Sequence, residues 1–138
     1  MTKRMKRVAV VVAVGALLIP TLAAAHHSFA AEYDGNKPIV LRGVVTKMLW
    51  SNPHGHLYID VKGQDGKPQT WELETNAPAA LYRRGVTKQD LPVGKEVIVR
   101  AYLAKDGSAT ANATSIKFVD TGREIFAGSE GTGAPERP

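Results

Sequence analysis

The sequence predicts an all-β domain, with five strands and one short helix between the third and the fourth. Three observations carry this. Apolar residues alternate with polar ones at a period of two over most of residues 39–119. Asp-Gly pairs at Asp65-Gly66 and Asp106-Gly107 sit between alternating runs, where hairpin loops belong. A helical signal is confined to Asn76–Gly85.

Before the first strand, Lys3, Arg4, Lys6 and Arg7 precede an apolar run from Val8 to Ile19. Pro20 and the small residues up to Ala25 follow. This order of charge, apolar run and A-x-A site predicts a secretory signal peptide over residues 1–25. The run is 12 residues long, short of the roughly 20 that a membrane span needs. An uncleaved anchor is the alternative. Cleavage after Ala25 predicts an exported protein, periplasmic or secreted, with no membrane span. It would begin at His26.

The signal also owns the charge. Four of the 18 basic residues precede Ala25 and none of the 13 acidic ones does. The remainder holds 14 against 13, a net charge of +1, so the basic composition gives no footprint for nucleic acid. The chain contains no cysteine. Disulfides, thiolate ligands and thiol chemistry are therefore excluded, and packing alone must hold the domain together.

Residues 26–38 read as an amino-terminal arm rather than a helix, with Phe29 and Tyr33 as pins and Asp34-Gly35-Asn36 as a turn. Ile39–Trp50 is the first strand. Gly43 in its middle predicts a bulge or bend. Asn52-Pro53 ends it. His56–Lys62 is the second strand, with Leu57, Ile59 and Val61 on one face and His56, Tyr58, Asp60 and Lys62 on the other. Gln69–Thr75 is its partner, with Trp71 and Leu73 inward and Glu72 and Glu74 outward.

The helix over Asn76–Gly85 has Asn76 as N-cap, Pro78 in the first turn and Gly85 as the stop. Arg83 and Arg84 suit its carboxyl end, and a solvated helix end is preferred there over an anion site. Residues 87–94 form a loop. Lys95–Ala104 is the fourth strand, with Val97, Val99, Ala101 and Leu103 on one face. Ala111–Val119 is the fifth, with Thr114, Ile116 and Phe118 inward. Residues 122–126 add a short edge strand. From Ala127 to Pro138 the composition predicts disorder. Five strands with the helix in this place follow the order of the OB-fold, a small Greek-key barrel spanning residues 39–126. A β-sandwich is the alternative.

The chemistry of the chain lies in its four histidines, which form two tight pairs, His26-His27 and His54/His56. A mature chain beginning at His26 offers a ring and a free α-amino group to one metal ion. Adding rings from His27, His54 or His56 gives a nitrogen-rich square set, which suits Cu(II) and less often Ni(II). Cleavage one residue earlier would put His27 third, where amino group, backbone amides and ring also bind Cu(II). Glu32, Asp34, Glu72 and Glu74 are candidates to orient a ring from behind, although outward-facing carboxylates are the preferred reading. The plainer alternative makes the first pair an exposed chain start and His54 a turn residue.

Catalysis finds little support. There is no nucleophile elbow, no phosphate-cradling glycine loop and no helical H-E-x-x-H. Ser28, Ser51, Asp34 and Asp60 are at hand for a Ser-His-Asp set, but no spacing favours one. The rival to metal binding is a metal-free module that takes a small ligand or a partner protein on an aromatic face of Trp50, Tyr58 and Tyr102.

The run His26-His27-Ser28-Phe29-Ala30-Ala31-Glu32-Tyr33-Asp34, followed by Trp50-x-Asn52-Pro53-His54, resembles a family of small exported bacterial proteins of unknown function. Trp71-x-Leu73-Glu74, Leu81…Gly85, Leu91…Gly94 and Lys105-Asp106-Gly107-Ser108 extend the likeness over nearly all of the mature domain. The resemblance implies a periplasmic or secreted OB-like barrel and brings no activity. His26, His27 and His54 match its pattern, whereas His56 stands where members vary, which ranks it below His54 as a ligand. His26 is also similar to the leading histidine of periplasmic copper carriers, at that one position only.

Overall fold

The computed structural model describes residues 29–128. The predicted signal peptide, His26 and His27 lie outside them. The described chain is all-β: β1 (Tyr33–Leu49), β2 (Gly55–Lys62), β3 (Pro68–Thr75), β4 (Glu96–Ala104), β5 (Thr110–Phe118) and β6 (Glu124–Phe126). One short helix, α1 (Pro78–Arg83), stands between β3 and β4, as the sequence predicts.

The strands pair in the order β3-β2-β1-β4-β5-β6. A further parallel pairing joins β3 to β5, with Glu72 opposite Thr110, Leu73 opposite Ala111 and Glu74 opposite Asn112. Each of β1 to β5 thus has a strand on both sides. This closes most of the free edge that a flat sheet would expose.

β1 makes the closure possible. Its first part pairs with β4 and its second with β2, and Gly43 lies opposite both Val97 and Val61. A Cβ on Gly43 would stand 2.6 Å from the Asp60 carbonyl oxygen. The glycine is there for close approach. The bulge expected at Gly43 falls instead between Val45 and Lys47, where the register with β2 shifts.

Alternation fills the interior. Leu57 and Ile59 of β2, Leu73 of β3, Val97 and Val99 of β4 and Ile116 of β5 are fully buried. Leu81 of α1 joins this core. Thr114, Ile116 and Phe118 are buried as expected.

The arm departs from expectation. Residues 29–32 are helical, and β1 begins at Tyr33, six residues before the predicted start. The cause is a second apolar cluster of Phe29, Tyr33, Tyr102 and Ala104. The Phe29 ring lies 5.7 Å from that of Tyr102, edge to face, and 5.7 Å from that of Tyr33. The Lys105 amide donates to the Glu32 carbonyl at 2.9 Å. Burial under the arm therefore falls on Tyr102, while Leu103, predicted inward, is only half-buried.

Two boundaries also move. Asn76 does not cap α1; Ala77 does, and the buried Asn76 side chain donates to the Gly128 carbonyl. Its backbone amide donates to the Ala127 carbonyl at 2.9 Å, and the Ala127 amide donates to Thr114. Ala127 is fully buried, so residues 127–128 belong to the ordered domain rather than to a disordered tail. The remainder of the predicted tail lies outside the described residues. Arg84 also binds this segment, donating to the carbonyls of Phe126 and Gly128.

The predicted loop over 87–94 contains a 3-10 turn, Lys88–Asp90. The Thr87 amide and hydroxyl both donate to Asp90 Oδ2, at 2.7 and 2.8 Å. These bonds to the backbone, together with the Thr87 hydroxyl and the Arg123 charge, hold the Asp90 carboxyl below its ordinary range. A lowered folded-state pKa means that Asp90 stabilises the fold above about pH 4. That contribution disappears as pH falls through the folded-state value. Asp90→Asn is expected to cost about 1 kcal/mol near neutrality, the difference between hydrogen bonds to a charged and to a neutral acceptor. Urea midpoints of the two proteins should converge below about pH 4.

Candidate metal centre

β2 and β3 are antiparallel, with His56 opposite Glu74 and Tyr58 opposite Glu72. Residues directly across a strand pair share a face. The inner face takes Leu57, Ile59 and Leu73, so these four polar side chains are left on the outer one. His54 is delivered to the same place by the β1–β2 loop, in which the Asn52-Pro53 peptide is cis. The Ser51 hydroxyl donates to the His54 carbonyl at 2.8 Å. Gly55 follows, and a Cβ there would meet Thr75 Oγ1 at 2.7 Å. This close passage seats His54 beside the end of β3.

Each ring has a carboxylate at its Nδ1. His54 Nδ1 lies 3.0 Å from Glu74 Oε1 and His56 Nδ1 lies 2.9 Å from Glu72 Oε1. The two carboxylates differ in how they are held. His56 Nδ1 is near its carboxylate but not aligned with it, and it is a buried nitrogen without a hydrogen-bond partner among the described residues. Glu74, by contrast, is well held. Its Oε2 accepts from the Tyr33 hydroxyl at 3.0 Å, and its Oε1 accepts from Asn112 Nδ2 at 3.1 Å. Its side chain is only 13% exposed.

No lysine or arginine among the described residues forms an ion pair with Glu72 or Glu74. A largely buried carboxylate without a cation is costly unless neutral donors or a bound cation hold its charge. The phenols register that charge. Burial, then the Glu74 charge and hydrogen bond, push Tyr33 far above the ordinary tyrosine value. Burial and then the hydrogen bond to Glu72 raise Tyr58 as well.

Nδ1 is thus the ring nitrogen turned to the protein, and Nε2 is the one left for a ligand. A carboxylate behind an imidazole is the usual support of a metal-binding histidine, fixing its tautomer and raising its basicity. Two such rings, each with a carboxylate, suit a cation with nitrogen preference. They do not complete a site. No group of three or more His, Asp or Glu side chains that could hold a metal ion exists among the described residues. His26 and His27 lie outside those residues. Phe29, two residues after His27, is packed against Tyr33, whose hydroxyl binds the carboxylate that touches His54. The arm is therefore anchored on the face that carries His54.

Of the four carboxylates expected to orient rings, Glu72 and Glu74 lie beside His56 and His54. Asp34 instead accepts from the Asn36 amide and lies 3.8 Å from Lys37 Nζ. The Glu32 carbonyl is the part of that residue that binds, to Lys105. Asn112 escaped the sequence reading; its only trace is a lone amide between Ala111 and Ala113 in a strand. The aromatic face does not assemble. Tyr102 is 2% exposed beneath Phe29, and Trp50 stacks on Tyr82 at 5.6 Å. The Ser51 hydroxyl serves a backbone carbonyl, and Asp60 accepts from Thr70. Neither lies in a Ser-His-Asp arrangement.

A family model described as a family of unknown function (DUF6152) matches residues 15–113. No curated protein matches the chain. No solved structure matches it either.

Proposed function

The chain belongs to that family of unknown function, which hands down no activity, and from its own residues we propose that it is an exported protein that binds a metal ion, copper. His26, His27 and His54 are the ligands, with His56 as a helper. The amino-terminal arm brings the first two to the third. The observation that carries this reading is the Tyr33–Glu74–His54 connection, which fastens the arm to the carboxylate behind the ring.

Charge supports it. Glu72 and Glu74 contribute two negative charges beside two imidazoles, with no basic side chain among the described residues paired to them. A divalent cation bound at the rings balances them. The absence of thiolates leaves nitrogen and oxygen donors, the set that suits Cu(II). In this reading the closed strand pairing is an OB-like barrel, residues 1–25 are a signal peptide and the protein works in the periplasm or outside the cell. No helix among the described residues is long and apolar enough to cross a membrane. Binding is preferred over catalysis because the Ser51 hydroxyl is committed to the His54 carbonyl and Asp60 to Thr70, which leaves no Ser-His-Asp set at the rings among the described residues. The rival, a metal-free module with an aromatic face, loses support from the burial of Tyr102 and the stacking of Trp50.

The test is retention of metal. Protein purified from the periplasm is mixed with equimolar Cu(II), Zn(II), Ni(II) and Mg(II), desalted and analysed. One copper per chain, retained in preference to the others, is expected. Recovery of metal-free protein would contradict the proposal.

A further inference from the structure

Tyr33 and His54 come from different parts of the chain and meet at one carboxylate. Tyr33 opens β1, at the point where the arm is fastened by Phe29, by the Lys105 amide on Glu32 and by pairing with Ala104. His54 precedes β2. Glu74 gives one oxygen to each, and Asn112 on β5 steadies the oxygen that faces the ring. A seated arm therefore acts on Glu74, and so does any charge placed on the His54 ring.

Resting on the metal-binding reading above, we propose that Glu74 is the positioning residue of the site and that it couples docking of the arm to cation binding at His54. A cation on Nε2 would place the ring proton on Nδ1 and strengthen its attraction to Glu74 Oε1, 3.0 Å away. The cation would also offset a carboxylate charge that the Tyr33 hydroxyl and the Asn112 amide hold. The carboxylate, so held, keeps Tyr33 and the arm in place. Because linkage is reciprocal, docking must raise cation affinity by the factor through which the cation favours docking. Phe29, which has no donor atom in its side chain, should then affect metal affinity through docking alone.

Two measurements on the periplasmic protein test this. Hydrogen exchange at the amides of residues 29–33 is followed with and without equimolar Cu(II). Cu(II) titrations and electron paramagnetic resonance spectra are compared for wild type, Phe29→Ala, Tyr33→Phe and Glu74→Gln. Copper should slow exchange across residues 29–33. Glu74→Gln should lower affinity by ~10- to 100-fold and alter the copper spectrum, while Tyr33→Phe and Phe29→Ala should weaken binding about 3- to 10-fold, within the range of such coupling. Thermal melts confirm that each variant is folded, and the exchange result needs no variant. Exchange unchanged by copper would overturn the coupling whatever the variants do. Tight binding that ignores all three substitutions would also overturn it and leave the metal-binding reading standing. A wild type that binds no copper would overturn both.

Discussion

Gly43→Ala is expected to lower stability by ~3 kcal/mol, at the upper end of what overpacking costs. The added methyl would stand 2.6 Å from the Asp60 carbonyl oxygen, 3.1 Å from its carbon and 3.1 Å from Val61 Cγ2. The first two are backbone atoms of β2 and cannot swing aside. β1 cannot retreat either, because Gly43 is paired with Val97 on its other side. Relief must come from separating β1 from β2, at the place where one strand serves two neighbours. Thermal melting should show a fall of more than about 10 °C, since 1 kcal/mol moves a domain of this size by roughly 4–8 °C. An unchanged midpoint would contradict the close strand approach.

His54→Ala is expected to reduce Cu(II) affinity by more than about 100-fold, beyond the loss typical for an orienting partner. His54 has a well-held carboxylate behind it, and the arm is fastened to that same carboxylate. His56→Ala should cost less, about 10-fold or below, because Glu72, 40% exposed, is less enclosed than Glu74 and the residue serves as a helper. Stability should separate the two effects. Glu74 keeps Tyr33 and Asn112 as donors when the ring is lost. The fold should then change by only ~1 kcal/mol, the upper end for an ion pair near the surface. A large loss of affinity with a small loss of stability, read by copper titration and urea unfolding, marks a ligand. Equal affinity in wild type and variant would mark a turn residue.

Much of this fold was legible in the sequence because strands report themselves locally. Leu57 and Ile59 against His56 and Tyr58 show which face is inward, and Asp65-Gly66 marks the turn that follows. The same alternation put Glu72 and Glu74 outward, on the side of the histidines. What was not legible depends on segments distant in the chain. Tyr102 has the parity of an outward residue and is buried only because the arm covers it. Asn76 has the identity of a helix cap, yet its amide is committed to Gly128, 52 positions away. Asn112 gains meaning only through the parallel pairing that sets it beside Glu74. Phe29 and Tyr33 were visible as pins, but where they would be driven home was not.

The central claim is that one terminal copper site joins the arm to His54. A Cu(II) titration of protein purified from the periplasm, its first residue fixed by intact mass, tests it most directly. A version with one extra residue before His26 runs beside it. One tight site per chain, weakened by the extra residue, is the predicted result, since the addition displaces the amino group and shifts His26 and His27 along the chain. Weak binding that is indifferent to the extra residue would contradict the account.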